Sequence, residues 1–283
     1  MSAGAGAAIV VAVAPVRREP GHASECVTQA LHGEPVDILE RDADGAWLRV
    51  RLASDGYEGW LRSWYLGERA SSAALPATGW VKPRSVLVRS LPKRGAPILT
   101  ELPWPARLAL AGEERGWAAV RLEDGRDGFV PSREVAAGSA PGGEPTGARL
   151  AKTARALVGA PYLWGGRCAW GFDCSGFVQA VFAWHGLSLP RDSQEQWRKG
   201  QGQPRPGRHR KAAVGDLLFF GSEDRVTHVG LATGNDEFLH AYGEVCFGSL
   251  SSASQVYVPE LVEPFLGIVR WGQFRPLLGP STQ

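Results

Sequence analysis

Residues Gly159 to Phe177 read Gly-Ala-Pro-Tyr-Leu-Trp-Gly-Gly-Arg-Cys-Ala-Trp-Gly-Phe-Asp-Cys-Ser-Gly-Phe. A glycine- and aromatic-rich loop runs into Asp173-Cys174-Ser175-Gly176, and then Phe177, Val178, Ala180, Val181 and Phe182 form an apolar helical pattern. The pattern places a cysteine where a loop becomes a helix. Unpaired backbone N–H groups and the positive end of the helix dipole lie there. Both favour the thiolate, which is the nucleophilic form.

A thiol nucleophile needs a base, and the base needs an orienting group. The chain has 6 histidines. His209 lies in a basic loop, His185 ends the helix, and His22 and His32 belong to an N-terminal β region. His228 and His240 fall on Val226 to Thr233 and Glu237 to Tyr242, two strands of a predicted hairpin around Gly234-Asn235-Asp236. If those three residues are the whole loop, Gly230 faces His240, and His228 is a diagonal neighbour on the same face. A loop one residue shorter puts the histidines on opposite faces. In the first register His228 takes the Cys174 proton and His240 fixes its tautomer. Spacing alone leaves the plainer reading open: a small buried cysteine and two structural histidines.

Upstream, the chain repeats itself. Trp47…Val50-Arg51-Leu52…Asp55-Gly56…Gly59-Trp60-Leu61 returns as Trp117…Val120-Arg121-Leu122…Asp124-Gly125…Gly128-Phe129-Val130. The offset is about 70 residues, the mark of two copies of one small β unit. Val10 to Val13 and Pro35 to Leu39 add strands to the first copy. Ala136 to Gly147 is a linker by composition, followed by a helix over about Ala148 to Val158. Asp192 or Ser193 caps a further helix, and Gln201 to Lys211 is a solvated basic loop. Leu217 to Phe220, Val256 to Val258 and Gly267 to Arg270 complete a predicted sheet.

With 283 residues the chain should hold two or three domains: 1–74, 75–138, a linker at 139–147, and 148–283. A net charge of +2 implies no polyanionic partner, and nucleic acid is not expected. The 4 cysteines (Cys26, Cys168, Cys174, Cys246) form no ligand spacing, so neither a metal, another cofactor nor a disulfide framework is expected. Cys168 and Cys246 have no assigned role. Ala7 to Ala14 is apolar, but no Lys or Arg precedes it, so it reads as a first strand of an unexported, cytoplasmic protein. No run approaches the ~20 apolar residues of a membrane span.

Six motifs occur in order: Tyr162-Leu163-Trp164-Gly165-Gly166, Gly171 to Phe177, Pro190-Arg191-Asp192-Ser193…Gln196, Gly215 to Phe220, Thr227-His228-Val229-Gly230-Leu231 and Phe238-Leu239-His240-Ala241. Residues 148–283 thereby resemble the NlpC/P60 family of papain-like cysteine peptidases. Each β unit resembles the bacterial SH3-like barrel, the second with Gly128-Phe129 where Gly-Trp is usual. The resemblance implies an α+β papain-like domain preceded by two SH3-like barrels. It implies Cys174 as nucleophile, His228 as base, His240 as third residue and Tyr162 near the oxyanion. The activity it implies is cleavage of γ-D-glutamyl-diamino acid bonds in peptidoglycan stem peptides. The two-barrel arrangement is similar to a cytoplasmic recycling subgroup that requires a free N-terminal L-Ala. Asp173 and Ser175 would then hold the amine, with Trp164 and Ser193 lining the site and Glu34 and Tyr65 contributed by the first barrel. A secreted wall hydrolase and an inactive wall-binding scaffold are the alternatives.

Overall fold

The computed structural model describes residues 7–68, 79–200, 203–204 and 212–274. The chain divides into two units, Met1–Ser139 and Ala140–Gln283. Among the described residues no helix is long and apolar enough to cross a membrane.

In the first unit, β1 (Ala7–Ile9), β2 (Val13–Arg17), β3 (Cys26–Leu31), β4 (Pro35–Arg41), β5 (Trp47–Leu52), β6 (Glu58–Arg62) and β7 (Leu66–Glu68) form one seven-stranded sheet. A second is built from β8 (Gly79–Val81), β9 (Ser85–Arg89), β10 (Ile98–Pro103), β11 (Arg107–Glu114), β12 (Trp117–Arg121), β13 (Asp127–Pro131) and β14 (Val135–Ala137). The orders are β3-β2-β6-β5-β4-β1-β7 and β10-β9-β13-β12-β11-β8-β14, so the sequence repeat is also a topological one.

Period-two alternation sends Val50, Leu52 and Leu61 into one core and Val120, Leu122 and Val130 into the other. The repeated glycine has a packing reason. A Cβ at Gly59 would lie 2.6 Å from Val16 Cγ1, and one at Gly128 would lie 2.4 Å from Val88 Cγ1, so both positions admit a crossing strand at close range. The sheets are joined through His32, whose Nδ1 bonds the Arg107 carbonyl (3.1 Å) and whose Nε2 accepts from the Glu123 N–H (3.4 Å). Val10 to Val13 is not one strand. The chain bends at Val11 and Ala12 and so delivers β1 and β2 to different places in the sheet.

The second unit contains α1 (Gly147–Arg155), a ribbon of β15 (Arg167–Cys168) and β16 (Gly171–Phe172), α2 (Cys174–Trp184) and α3 (Ser193–Lys199). There follow β17 (Gln203–Pro204), β18 (Leu217–Gly221), β19 (Val226–Gly234), β20 (Glu237–Tyr242), β21 (Glu244–Ser249), α4 (Pro259–Val262) and β22 (Phe265–Val269). The antiparallel sheet runs β17-β22-β18-β19-β20-β21, and α2 packs against β19 and β20.

Three expectations need correction. Val256 to Val258 forms no strand: only Tyr257 bridges, to Ser249, before α4 begins. The edge strand is instead β21, which no turn cluster announces because the chain reverses through Gly243 alone, at φ 75°. The end of the expected linker is also docked rather than loose. The Gly142 N–H donates to the Trp184 carbonyl at 2.8 Å, and a Cβ at Gly142 would lie 2.4 Å from the His185 ring. Most of the basic loop Gln201 to Lys211, including His209, lies outside the described residues.

Candidate active site

Asp173 starts α2. Its backbone is extended (φ −89°, ψ 177°) and its Oδ1 accepts from the Gly176 N–H at 2.7 Å, a side-chain N-cap. Cys174 is therefore the first helical residue. Gly176 must be glycine for a packing reason: a Cβ there would sit 2.0 Å from the Gly166 carbonyl oxygen, which itself accepts from the Asp173 N–H at 3.2 Å.

The Asp173 carboxylate is occupied from several sides. Arg191 donates Nη1 to Oδ1 (3.1 Å) and Nη2 to Oδ2 (2.5 Å), the Gly165 N–H donates to Oδ2 (2.9 Å), and the Ser175 hydroxyl donates to Oδ1 (3.2 Å). Arg191 also donates to Ser175 Oγ at 2.9 Å, and its side chain is 1% exposed. The negative charge expected to face a substrate amine is thus balanced within the protein. Arg191 was legible as part of a motif but not as this counter-ion. Gln196 extends the brace from α3, donating to the Ser175 and Pro190 carbonyls.

The sulfur of Cys174 is in a different state from the one the helix start suggests. Part of the residue's surface remains open, yet the surrounding protein desolvates the sulfur. Burial first, and then the Asp173 charge, push the thiol up to about 12. Backbone N–H groups of Val229 and Ser175 oppose this without overcoming it. Cys174 therefore rests as a neutral thiol. Val229 also locates the sulfur against β19, one residue from His228.

The register of β19 and β20 decides whether the histidines meet. Asn235 (φ 54°) and Asp236 (φ 61°) make a tight turn, and Gly234 pairs with Glu237. This is the shorter loop, which by itself would separate the two side chains. A bulge between Ala232 and Gly234 restores the pairing of Leu231 with Leu239. His228 and His240 then share a face, with His228 Nε2 2.8 Å from His240 Nδ1. Both are buried, at 7% and 0% exposure. Burial, then the neighbouring His240, lower His228 to about 3, and burial lowers His240 to about 4. Both imidazoles are neutral at physiological pH.

Tyr162 is tied to this end of the sheet by its N–H to the Gly243 carbonyl at 2.8 Å. Its phenol is raised to about 12, by burial first and then by repulsion from Cys174, once that is ionised, and from Asp173, so it remains a donor. Ser175 is buried, Ser193 begins α3, and Trp164 is 62% exposed. Tyr242 is an addition that sequence reasoning passed over. Its ring stacks on His240 (centroids 5.8 Å, 9° between planes) and meets His228 edge-on at 6.2 Å. The period-two spacing His240-Ala241-Tyr242 was the available signal. In the first unit, Glu34 is buried, and its carboxylate accepts from the Leu31 N–H at 3.2 Å and from the Ser54 hydroxyl. Tyr65 packs against that unit's first core. Cys168 is fully buried, and burial raises its thiol to about 11. No cluster of metal-ligating side chains occurs among the described residues.

Residues 159–260 match the NlpC/P60 family, and residues 16–64 match the bacterial dipeptidyl-peptidase Sh3 domain. The chain is 33% identical over 224 residues to the gamma-D-glutamyl-L-lysine dipeptidyl-peptidase of Bacillus subtilis (strain 168), covering 76% of this chain and 71% of that protein. The enzyme of the same name from Bacillus cereus (strain ATCC 10987) is 28% identical over 235 residues, covering 78% and 68%. In fold, the crystal structure of an NlpC/P60 family protein from Bacillus cereus ATCC 10987 superposes with a TM-score of 0.79 at 23% identity, over 94% of this chain and 99% of that one. With a cysteine heading a helix beside a paired-histidine hairpin, and with relatives matched over most of both chains, this protein belongs to the NlpC/P60 family of cysteine peptidases.

Proposed function

We propose that the chain hydrolyses the γ-D-glutamyl-diamino acid bond of peptidoglycan stem peptides that carry a free N-terminal L-Ala, as a cytoplasmic recycling enzyme. The observation that carries the reading is the position of Cys174 as first residue of α2, packed against β19, the strand on which His228 lies 2.8 Å from His240. The names of the two Bacillus relatives supply the bond. A peptidase that releases dipeptides cuts at a fixed distance from the chain start, which calls for recognition of the amine end.

His228 removes the Cys174 proton as the sulfur attacks the γ-carbonyl carbon, because neither group is charged at rest. The tetrahedral oxygen receives donation from backbone N–H at the helix start and from Tyr162. The His228 imidazolium then protonates the leaving amine, leaving a thioester on Cys174. Water, deprotonated by His228, releases the acid and regenerates the thiol.

Ser175, Trp164 and Ser193 line the substrate in this reading. Asp173 acts mainly by holding the helix start, since its charge is matched by Arg191. The effect of Glu34 and Tyr65 on substrate choice is tested by Glu34→Gln and Tyr65→Phe on KM. The two-barrel division of residues 1–138 is supported by the repeated strand order. Ala8 and Ile9 of β1 are buried, as the reading of Ala7 to Ala14 as strand expects.

The test is mass spectrometry of products from L-Ala-γ-D-Glu-L-Lys, its meso-diaminopimelate counterpart, N-acetylated versions of both, and purified sacculi. Release of L-Ala-D-Glu from the free peptides is expected, with the acetylated peptides turned over at least about ten-fold more slowly, a loss of ~1.4 kcal/mol, because acetylation removes the ammonium charge and adds bulk at the recognised end. Equal turnover of free and acetylated peptide, or sacculus solubilisation at the tripeptide rate, would overturn the proposal.

A further inference from the structure

The catalytic histidines need more than proximity: their protons must be on the right atoms. His228 Nε2 faces His240 Nδ1 at 2.8 Å. For His228 to act as a base toward Cys174, its other nitrogen, Nδ1, must carry the lone pair. Its hydrogen is then on Nε2 and is donated to His240 Nδ1. A neutral His240 consequently carries its one hydrogen on Nε2. That atom lies 3.6 Å from Cys246 Sγ, and the Cys246 thiol lies 3.7 Å from the Tyr242 carbonyl, to which it can donate.

We propose that Cys246 is a positioning residue of the active site: it accepts the His240 Nε2–H and thereby sets the proton order of the histidine pair. The inference rests on the cysteine-peptidase mechanism proposed above. With its own hydrogen directed to the Tyr242 carbonyl, the sulfur presents lone pairs to His240. All hydrogens then run outward, from His228 to His240 to Cys246 to the Tyr242 carbonyl. The reverse order would put a hydrogen on His240 Nδ1 and another on His228 Nδ1, leaving no base for Cys174.

The local fold serves this contact. Cys246 is the residue directly paired with His240 across β20 and β21. The one-residue reversal at Gly243 brings the Tyr242 carbonyl within reach of the same thiol. Gly248 leaves the space: a Cβ there would lie 3.0 Å from His240 Nε2. The Tyr242 ring, nearly parallel to His240, covers one of its faces.

Two readouts test this. In Cys174→Ala protein labelled with 15N-histidine, the His240 signals should report the Nε2–H tautomer. Adding Cys246→Ala should give mixed or reversed tautomer signals, and Cys246→Ser should restore the original ones. In otherwise wild-type enzyme, Cys246→Ala should lower kcat at least five-fold with KM within two-fold, and Cys246→Ser should recover most of the loss. An unchanged tautomer, or wild-type kcat in Cys246→Ala, overturns the proposal. Should Cys246→Ala not fold, the serine variant decides: loss of its Nε2–H signal or of more than five-fold in kcat overturns it. Activity in Cys174→Ala would instead refute the cysteine mechanism itself, so the two failures are distinguishable.

Discussion

Replacing Arg191 with methionine should damage this protein more than any surface charge change, and the structure indicates how much. The guanidinium is 1% exposed and the Asp173 side chain 10%, so solvent cannot take over the lost role. Arg191→Met leaves the carboxylate with donors from Gly165, Gly176 and Ser175 only among those described. Breaking a buried pair from one side costs ~3–5 kcal/mol, and the three remaining donors place this case near the lower end, at about 3 kcal/mol. In a unit of this size that lowers Tm by about 10 °C. Asp173→Asn in the same protein removes the orphaned charge, so the double variant should recover ~2 kcal/mol of the loss. The assay is urea unfolding of wild type, both single variants and the double. Additivity within ~0.5 kcal/mol would refute the reasoning, because groups in direct contact must couple. At temperatures where Arg191→Met is folded, kcat should still fall 10- to 100-fold, on the scale of ~100-fold for a 1 Å displacement of a reacting group, since Cys174 is the next residue after the braced carboxylate.

Further predictions concern the neutral resting pair and its surroundings. Alkylation of Cys174 by iodoacetamide should accelerate with pH through pH 9 without a plateau, as its thiol is raised to about 12; a plateau below pH 6 would indicate a preformed ion pair. His228 is depressed from 6.5 to about 3, so its contribution is fully present above 6.5 and is lost as the pH falls, because the unfolded chain binds the proton more readily. Urea titrations at pH 7 and pH 5 should show wild type losing about 2 kcal/mol more than His228→Gln. Tyr242→Ala uncovers His240 and should lower kcat several-fold, whereas Tyr242→Phe keeps the stacked ring and should be near wild type in kcat assays. Gly176→Ala drives a methyl group to 2.0 Å from the Gly166 carbonyl and should abolish both activity and the native near-UV dichroism, which records tertiary packing.

Much of the architecture was legible because it is periodic. The alternation in Trp47 to Leu52 and its return at Trp117 to Arg121 specify two half-buried strands whatever surrounds them. The start of α2 was legible for a local reason as well, since Asp173 can cap the helix that contains it. β21 was not legible, because one glycine turns the chain where a turn cluster was sought. The bulge at the end of β19 was equally hidden, although it alone reconciles the short Asn235-Asp236 turn with a shared histidine face. Arg191 and Cys246 were missed because their partners are distant or on a neighbouring strand, and spacing along the chain carries no trace of either contact.

Taken by itself, the amino-acid order determined which residue heads the helix, which histidines compete for the role of base, and that the N-terminal half is duplicated. These are properties of neighbours in the chain and of its periodicity. The tertiary structure decided the desolvation of Cys174, His228 and His240, the ion pair on Asp173 and the thiol beside His240. Those depend on which atoms exclude water from a side chain, and desolvation at Cys174 outweighs the helix terminus that local reasoning emphasised.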